Sequence, residues 1–358
     1  MKKLKIAMMV AGQFTIPQPK NIVYAPMDIA AYISEELVRR GHRVDFYAPK
    51  GSMVKASRII SGNLPPLNSV YKKFEKSADF SKIFSLWDQY LISLMFKSAK
   101  KEKYDLLHIH PVDRALPLAL SHPEIPVVYT LHDPIYPWRA KIFKMFSSKN
   151  QYYIPISNAQ KKPAPELNYL KTIYNGIKLN EFPFSGNKGK YLLFVGRIMR
   201  EKGVAEAVQI AKKLNEKLFI IGPTSEDEYW NKGIRPYLGK NIKYIGYVSH
   251  KKLFNYYRNA KAFLFPLQWD EPFGLTMVEA MACGSPVVAF DRGSVSEIVE
   301  NGKTGFIVKN FKQMLNAVKN IEKIDRYDCR LSMEKKFDFK TMVDNYEKEF
   351  IKLVSLKK

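Results

Sequence analysis

Cysteine is scarce: Cys283 and Cys329 are the only two in 358 residues. Two are too few for a disulfide framework, and neither sits in a Cys/His array spaced for a metal, so both read as buried thiols. No window offers the roughly 20 apolar residues of a membrane-spanning helix. The opening Met1-Lys2-Lys3 and the apolar Ile6 to Val10 lead into Gly12-Gln13 without a small-x-small cleavage site, which favours a buried first strand over a secretory leader. The expected compartment is the cytoplasm. Compositionally biased tracts are absent too, and with 46% apolar and 26% charged residues the chain falls outside the disordered and fibrous classes. Its length exceeds that of a typical single core, so two domains are expected.

Acidic residues are the other shortage, with 34 against 58 basic ones and a net charge of +24. Such a surplus attracts something anionic without saying what. In residues 1–183 the excess lies in two stretches: 50–103, with 11 basic and 4 acidic side chains, and 134–171, with 7 and 1. A solvated lysine-rich surface is one reading and an anionic lipid surface or acceptor the other. The second reading adds peripheral contact with the inner face of the plasma membrane. Within 77–100, Phe80, Ile83, Phe84, Trp87, Leu91, Leu94 and Met95 form an apolar stripe flanked by Lys82, Lys97, Lys100 and Lys101. A core-facing helix is expected there, with a monotopic membrane contact as the alternative.

Apolar β-rich runs alternate with helical patterns from the first residues. Strands are expected at Lys5–Val10, Arg43–Ala48, Leu106–Ile109, Val127–Thr130, Tyr153–Ile156 and Thr172–Tyr174, and a helix at Met27–Arg40. The polar stretch Phe184 to Gly189 has linker character. Beyond it, strands at Tyr191–Val195, Leu218–Ile221, Ile242–Ile245, Ala262–Phe265, Val287–Ala289 and Phe306–Val308 alternate with helices at Val204–Leu214, His250–Arg258, Leu275–Ala282 and Phe311–Ile321. This predicts an α/β chain of two Rossmann-like halves with parallel sheets, 1–183 and 184–339. The amphipathic segment at 340–358 is expected to pack back on the first half. Ligands of open α/β sheets bind at the carboxyl edge, so the loop after the first strand, 11–26, with Pro17, Pro19 and Pro26, is a candidate binding segment.

The richest stretch runs from Asp270 to Ala289. A strand enters a loop, Gly274 removes any side chain, and a helix opens near Leu275, so its first amides can bind a phosphate. Glu271 and Glu279 would repel that phosphate unless they contact hydroxyl groups elsewhere on the ligand. A ligand with phosphate in the middle and polyols at both ends fits, as in nucleoside-diphosphate sugars. Arg197 and Lys202 flank the first strand-to-helix loop of the second half, where two fixed cations can neutralise a diphosphate without a divalent metal.

These residues resemble a known family. The Glu-x7-Glu element Glu271…Glu279 inside EPFGLTMVEAMACGSPVVA, VGRIMREKG at 195–203, IGP at 221–223 and EIVENGKTGFIV at 297–308 are similar to the retaining glycosyltransferases of family 4. In the first half VRRGHRVDFYAP at 38–49, DLLHIH at 105–110, TLHD at 130–133 and YNGI at 174–177 carry the likeness. It implies the GT-B fold: two Rossmann-like domains facing across a cleft, the first holding the acceptor and the second the nucleotide-sugar. It further implies that Arg197 and Lys202 bind the diphosphate, that Glu279 binds the ribose hydroxyls and that Glu271 lies near the donor sugar. Main-chain contacts are implied for Phe273, Gly274, Leu275 and Thr276. Gly196, Gly222-Pro223 and Gly246-Tyr247-Val248 would line the rest of the donor site, the last two segments bordering the base. His132 would reach the sugar from the other domain, and Gly12 is a close-approach point in the first loop. His108 and His110 are assigned packing roles.

The activity implied is transfer of a hexose-type sugar from a UDP- or GDP-type donor to a hydroxyl, with retention and with no metal or separate cofactor. The acceptor would be a glycan, glycolipid or cell-surface polysaccharide under synthesis. Two departures stand out: Ala25-Pro26 occupies the place of a common Gly-Gly pair, which leaves acceptor handling open, and Lys178 replaces a common aspartate. A nucleotide-sugar epimerase or a phosphorylase on the same scaffold is an alternative, although no pyridoxal phosphate lysine is identifiable. A noncatalytic anion or nucleic-acid binder is another, but no nucleic-acid module is present, so nucleic acid is not an expected partner.

Overall fold

Short aliphatic runs separated by helical patterns build two parallel sheets, as seen in a computed structural model that describes residues 2–19, 24–70 and 80–356. The chain divides into two units, residues 1–174 with 340–358, and residues 175–339. The division falls after Tyr174, upstream of the polar stretch that opens at Phe184.

In chain order the first unit holds β1 (Lys5–Met9), α1 (Ala25–Arg39), β2 (Arg43–Tyr47), β3 (Arg58–Ile60), the single turn α2 (Leu67–Val70), α3 (Phe80–Glu102), β4 (Leu106–Ile109), α4 (Val112–Ser121), β5 (Val127–Leu131), α5 (Pro137–Met145) and β6 (Gln151–Pro155). Its six strands lie in the order β3-β2-β1-β4-β5-β6, all parallel. Strands β1, β2, β4 and β5 are buried almost throughout, as expected of a sheet covered on both faces. Thr172–Tyr174, expected as a strand, is irregular. It runs beside β6, with the Ile173 amide donating to the Pro155 carbonyl at 3.0 Å, but forms no continuing ladder.

The second unit holds β7 (Tyr191–Val195), α6 (Val204–Leu214), β8 (Leu218–Ile221), α7 (Glu228–Gly233), β9 (Ile242–Gly246), α8 (His250–Asn259), β10 (Ala260–Phe265), α9 (Leu275–Ala282), β11 (Val287–Phe290), α10 (Val295–Ile298), β12 (Gly305–Val308), α11 (Phe311–Lys319) and α12 (Arg326–Lys336). The order β12-β11-β10-β7-β8-β9 repeats the topology of the first unit. A final helix, α13 (Phe339–Leu356), returns to the first unit, where Met342, Val343, Tyr346, Phe350, Leu353 and Val354 join the core formed by β1, β2 and α1. Strand order reverses between β1 and β4 in one sheet and between β7 and β10 in the other. Ligand crevices of such sheets open at these points.

The apolar stripe of α3 serves the core. Leu91 and Met95 are fully buried, Ile83, Phe84, Trp87 and Leu94 are partly so, and the Trp87 indole donates to the Pro65 carbonyl at 2.8 Å. The membrane reading of this stripe is therefore withdrawn for these residues; residues 77–79 and the side chains of Phe80 and Lys82 lie outside what is described. Among the described residues no helix is long and apolar enough to cross a membrane. Cys283 and Cys329 are free and buried, and desolvation pushes both thiols up to about 12.

Candidate active site

In the second unit the loops after β7 and β10 meet at the reversal point. A short 3₁₀ turn, Arg200–Lys202, ends at Gly203, whose φ is +73°. A Cβ there would lie 1.8 Å from the Pro266 carbonyl oxygen, so only glycine lets the start of α6 approach the end of β10 this closely. The Gln268 amide donates to the Glu201 carbonyl at 2.9 Å and locks the two loops together. Across this junction Lys202 Nζ lies 2.5 Å from Glu271 Oε2, both side chains about 15% exposed, and 4.8 Å from the centre of the Trp269 ring. Arg197 is exposed and has no hydrogen-bond or ion-pair partner among the described residues.

Gly274 precedes α9 with φ +82°, and no side chain caps the helix. The amides of Leu275 and Thr276, both partly exposed, therefore have no side-chain acceptor at the positive end of the helix dipole. Phe273 is buried against Phe337, and its carbonyl accepts from the Ser294 hydroxyl at 2.6 Å. Glu279 lies inside α9 and is 7% exposed. The Tyr257 hydroxyl donates to its Oε2 at 2.9 Å, and His250 Nε2 lies 3.2 Å from its Oε1. Burial, with Glu279 beside it, holds the Tyr257 hydroxyl in its protonated, donating form.

Gly196 and Gly222 form the floor at the ends of β7 and β8. Their amides are committed to the sheet edge, donating to the carbonyls of Ile221 and Gly246. The Pro223 carbonyl accepts from Ile198 at 2.9 Å, and the Gly222 carbonyl accepts from the Tyr244 hydroxyl at 2.8 Å. Tyr247 is 41% exposed and Val248 partly buried just beyond β9. The structure thus brings Arg197, Lys202, Glu271, Glu279 and the start of α9 to one sheet edge of one unit.

His132 and Gly12 belong to the first unit. His132 follows β5, and its Nε2 lies 2.7 Å from Nδ1 of His110, which follows β4. His108 Nε2 bonds Thr130 Oγ1 at 2.8 Å, and Thr130 in turn bonds the Tyr346 hydroxyl of α13 at 3.0 Å. Desolvation lowers the basicity of all three imidazoles, helped at His132 by the Arg139 guanidinium; His108 falls to about 3. All three are neutral near pH 7. Gly12 is buried, its amide donates to Asp88 Oδ1 at 2.7 Å, and a Cβ on it would press on the Trp87 backbone at 2.7 Å. The close approach it permits is to helix α3. Ala25 and Pro26 start α1, where proline is well tolerated because its missing N–H needs no partner.

The sequence profile described as Glycosyl transferases group 1 matches residues 178–336, and that described as Glycosyltransferase Family 4 matches residues 29–181. Together they span residues 29–336. The chain belongs to glycosyltransferase family 4. An uncharacterised glycosyltransferase of Methanocaldococcus jannaschii is 25% identical over 351 residues, 85% of each chain. Sucrose-phosphate synthase from Thermosynechococcus elongatus superposes with a TM-score of 0.78 at 17% identity, covering 99% of this chain and 100% of that one. The Anabaena protein HepE, in complex with UDP and glucose, gives 0.68 at 15% identity over 96% and 98%. These likenesses show the GT-B fold, and they do not favour the epimerase, phosphorylase or nucleic-acid alternatives.

In this family-4 chain, sequence reasoning did not name the residues that hold the candidate side chains in place. Tyr257 and His250 orient Glu279, and Glu271 pairs with Lys202. Asp88 tethers Gly12, with burial pushing its carboxyl up to about 6 against the pull of that amide, Gln13 and Arg114. The sequence did carry a signal for Asp88, an aspartate set between Trp87 and Leu91 in an apolar stripe.

Proposed function

We propose that this glycosyltransferase moves a hexose from a UDP- or GDP-sugar to a hydroxyl acceptor with retention of configuration, the second unit holding the donor and the first the acceptor. The observation that carries the reading is the meeting of the loop that bears Arg197 and Lys202 with the loop before the uncapped start of α9, which gathers two cations and a set of amides at one sheet edge. A diphosphate there receives charge-assisted bonds from both side chains and main-chain bonds from Leu275 and Thr276. Glu271 is the counter-ion of Lys202 in the free protein. When a diphosphate takes over that partnership, Glu271 is released toward the sugar hydroxyls. Glu279, fixed by Tyr257, accepts from the ribose hydroxyls.

In the reaction the bond from the anomeric carbon to the diphosphate oxygen breaks while a bond to the acceptor oxygen forms on the same face. The acceptor proton passes to the departing phosphate oxygen. Arg197 and Lys202 meet the negative charge that grows on the leaving group, and electrostatic stabilisation of this kind is often the largest catalytic contribution. The UDP in the HepE complex supports a UDP-type donor. For the acceptor, exposed Tyr136, Trp138 and Met145 on and beside α5, with Lys141 and Lys144, favour an anionic lipid-linked or glycan chain.

The test is incubation with UDP-, GDP- and ADP-sugars, following release of the nucleoside diphosphate and, by calorimetry, its binding. Release from at least one UDP- or GDP-sugar, with binding of the matching diphosphate, is expected. No release and no heat with any of them overturns the reading.

A further inference from the structure

We propose that His110 is a positioning residue for His132, holding it in the tautomer protonated at Nδ1 so that the ring offers a hydrogen-bond donor to a bound sugar. The inference rests on the proposed glycosyl transfer only in its last clause, the identity of the ligand; the tautomer itself is a property of the first unit alone.

The two rings lie nearly parallel, 9° apart with centres at 5.0 Å, and share one short hydrogen bond of 2.7 Å between His110 Nδ1 and His132 Nε2. Both imidazoles are neutral, so one nitrogen donates and the other accepts, and two arrangements are possible. His110 Nε2 decides between them. It is buried without a hydrogen-bond partner, with the His108 ring centred 4.5 Å from that of His110. Were Nδ1 of His110 the acceptor, its proton would sit on Nε2 as a buried N–H with no acceptor among the described residues. Orphaned buried N–H groups are rarer than unfilled acceptor lone pairs. The arrangement that leaves only a lone pair unfilled puts the proton on His110 Nδ1, donating to His132 Nε2, and His132 then carries its own proton on Nδ1. His132 Nδ1 has no partner among the described residues and is not among the buried unpartnered atoms. It is the ring nitrogen that solvent or a ligand can reach. A free imidazole favours the opposite tautomer, so the strand-end pair reverses the default.

The experiment uses the full chain labelled with heavy nitrogen at histidine, with ring nitrogens observed by NMR and the His132 signals assigned by their loss in His132→Gln. The wild type is expected to show His132 protonated at Nδ1. His110→Asp, whose carboxylate accepts but cannot donate, is expected to draw the His132 proton to Nε2. His110→Asn, whose side-chain amide can donate from near the position of Nδ1, is expected to keep the wild-type tautomer. Turnover of the sugar nucleotide should fall roughly tenfold to a hundredfold in the aspartate variant with the donor KM nearly unchanged, and stay near wild type in the asparagine variant. Wild-type His132 protonated at Nε2 overturns the positioning claim, and so does an unchanged tautomer in His110→Asp. The tautomer measurement on wild-type protein decides even if the aspartate variant fails to fold. The expected tautomers combined with unaltered turnover overturn the sugar contact alone. If the wild type turns over no sugar nucleotide, it is the donor reading that fails, while the tautomer result still stands or falls by itself.

Discussion

Lys202 and Glu271 form one pair in the free protein, yet the two carry different parts of the proposed chemistry, and substitution can separate them. Lys202→Ala or Arg197→Ala removes a cation that matters most when the leaving group gains charge, so turnover should fall by about a hundredfold or more with folding intact. Steady-state kinetics beside a thermal melt checks this, and near-normal turnover in both variants would discredit the pair. Glu271→Gln acts differently. It deprives Lys202 of its counter-ion, so the nucleoside diphosphate alone should bind at least as tightly as to wild type, while sugar transfer slows. Equal losses in diphosphate affinity, read by calorimetry, and in turnover would show instead that Glu271 merely positions Lys202.

At the scale of elements, the site depends on how closely the loop before α6 approaches the end of β10. Gly203→Ala brings a methyl group within 1.8 Å of a backbone oxygen at a φ of +73°, and no flexible side chain is there to yield. Expected is a loss of about 2–4 kcal/mol, read as a lower urea midpoint, together with weakened diphosphate binding as Lys202 is displaced from Glu271. A variant of wild-type stability would mean that the two loops separate freely. This dependence also explains what the sequence made legible. Strands such as Tyr191–Val195 and Leu218–Ile221, with the helices Val204–Leu214 and Leu275–Ala282, stand where their patterns place them, because a doubly covered parallel sheet imposes continuous apolar runs. Arg58–Ile60 was illegible since an exposed, three-residue edge strand carries no such run. Thr172–Tyr174 had the composition of a strand but lacks a partner ladder, which is a tertiary matter. The loops that hold Lys202, Glu271 and the start of α9 could be read because glycine spacing reports backbone geometry directly. The pairing of His110 with His132 could not, since it depends on which strands of the sheet are neighbours.

For the whole molecule the buried imidazoles predict an acid-labile first unit. His108, His110 and His132 bind protons in the unfolded chain near pH 6.5 but resist them in the fold, where desolvation holds all three well below that value. Below pH 6.5 the unfolded state thus carries the extra protons, and stability falls as pH falls. Asp88 works in the opposite sense: its folded value, about 6, lies above its ordinary one, so between pH 4 and 6 the fold holds the extra proton and gains stability on acidification. One proton per group corresponds to about 1.4 kcal/mol per pH unit, so three histidines against one aspartate leave a net loss of about 2–3 kcal/mol per unit between pH 6 and 5. Urea midpoints across that interval measure it. His108→Phe should remove about one proton's share of the slope, and Asp88→Asn, which keeps an oxygen for the Gly12 amide, should steepen it. A flat profile in wild type would mean that these rings take up protons in the folded state, and the neutral His110–His132 pair would then be excluded.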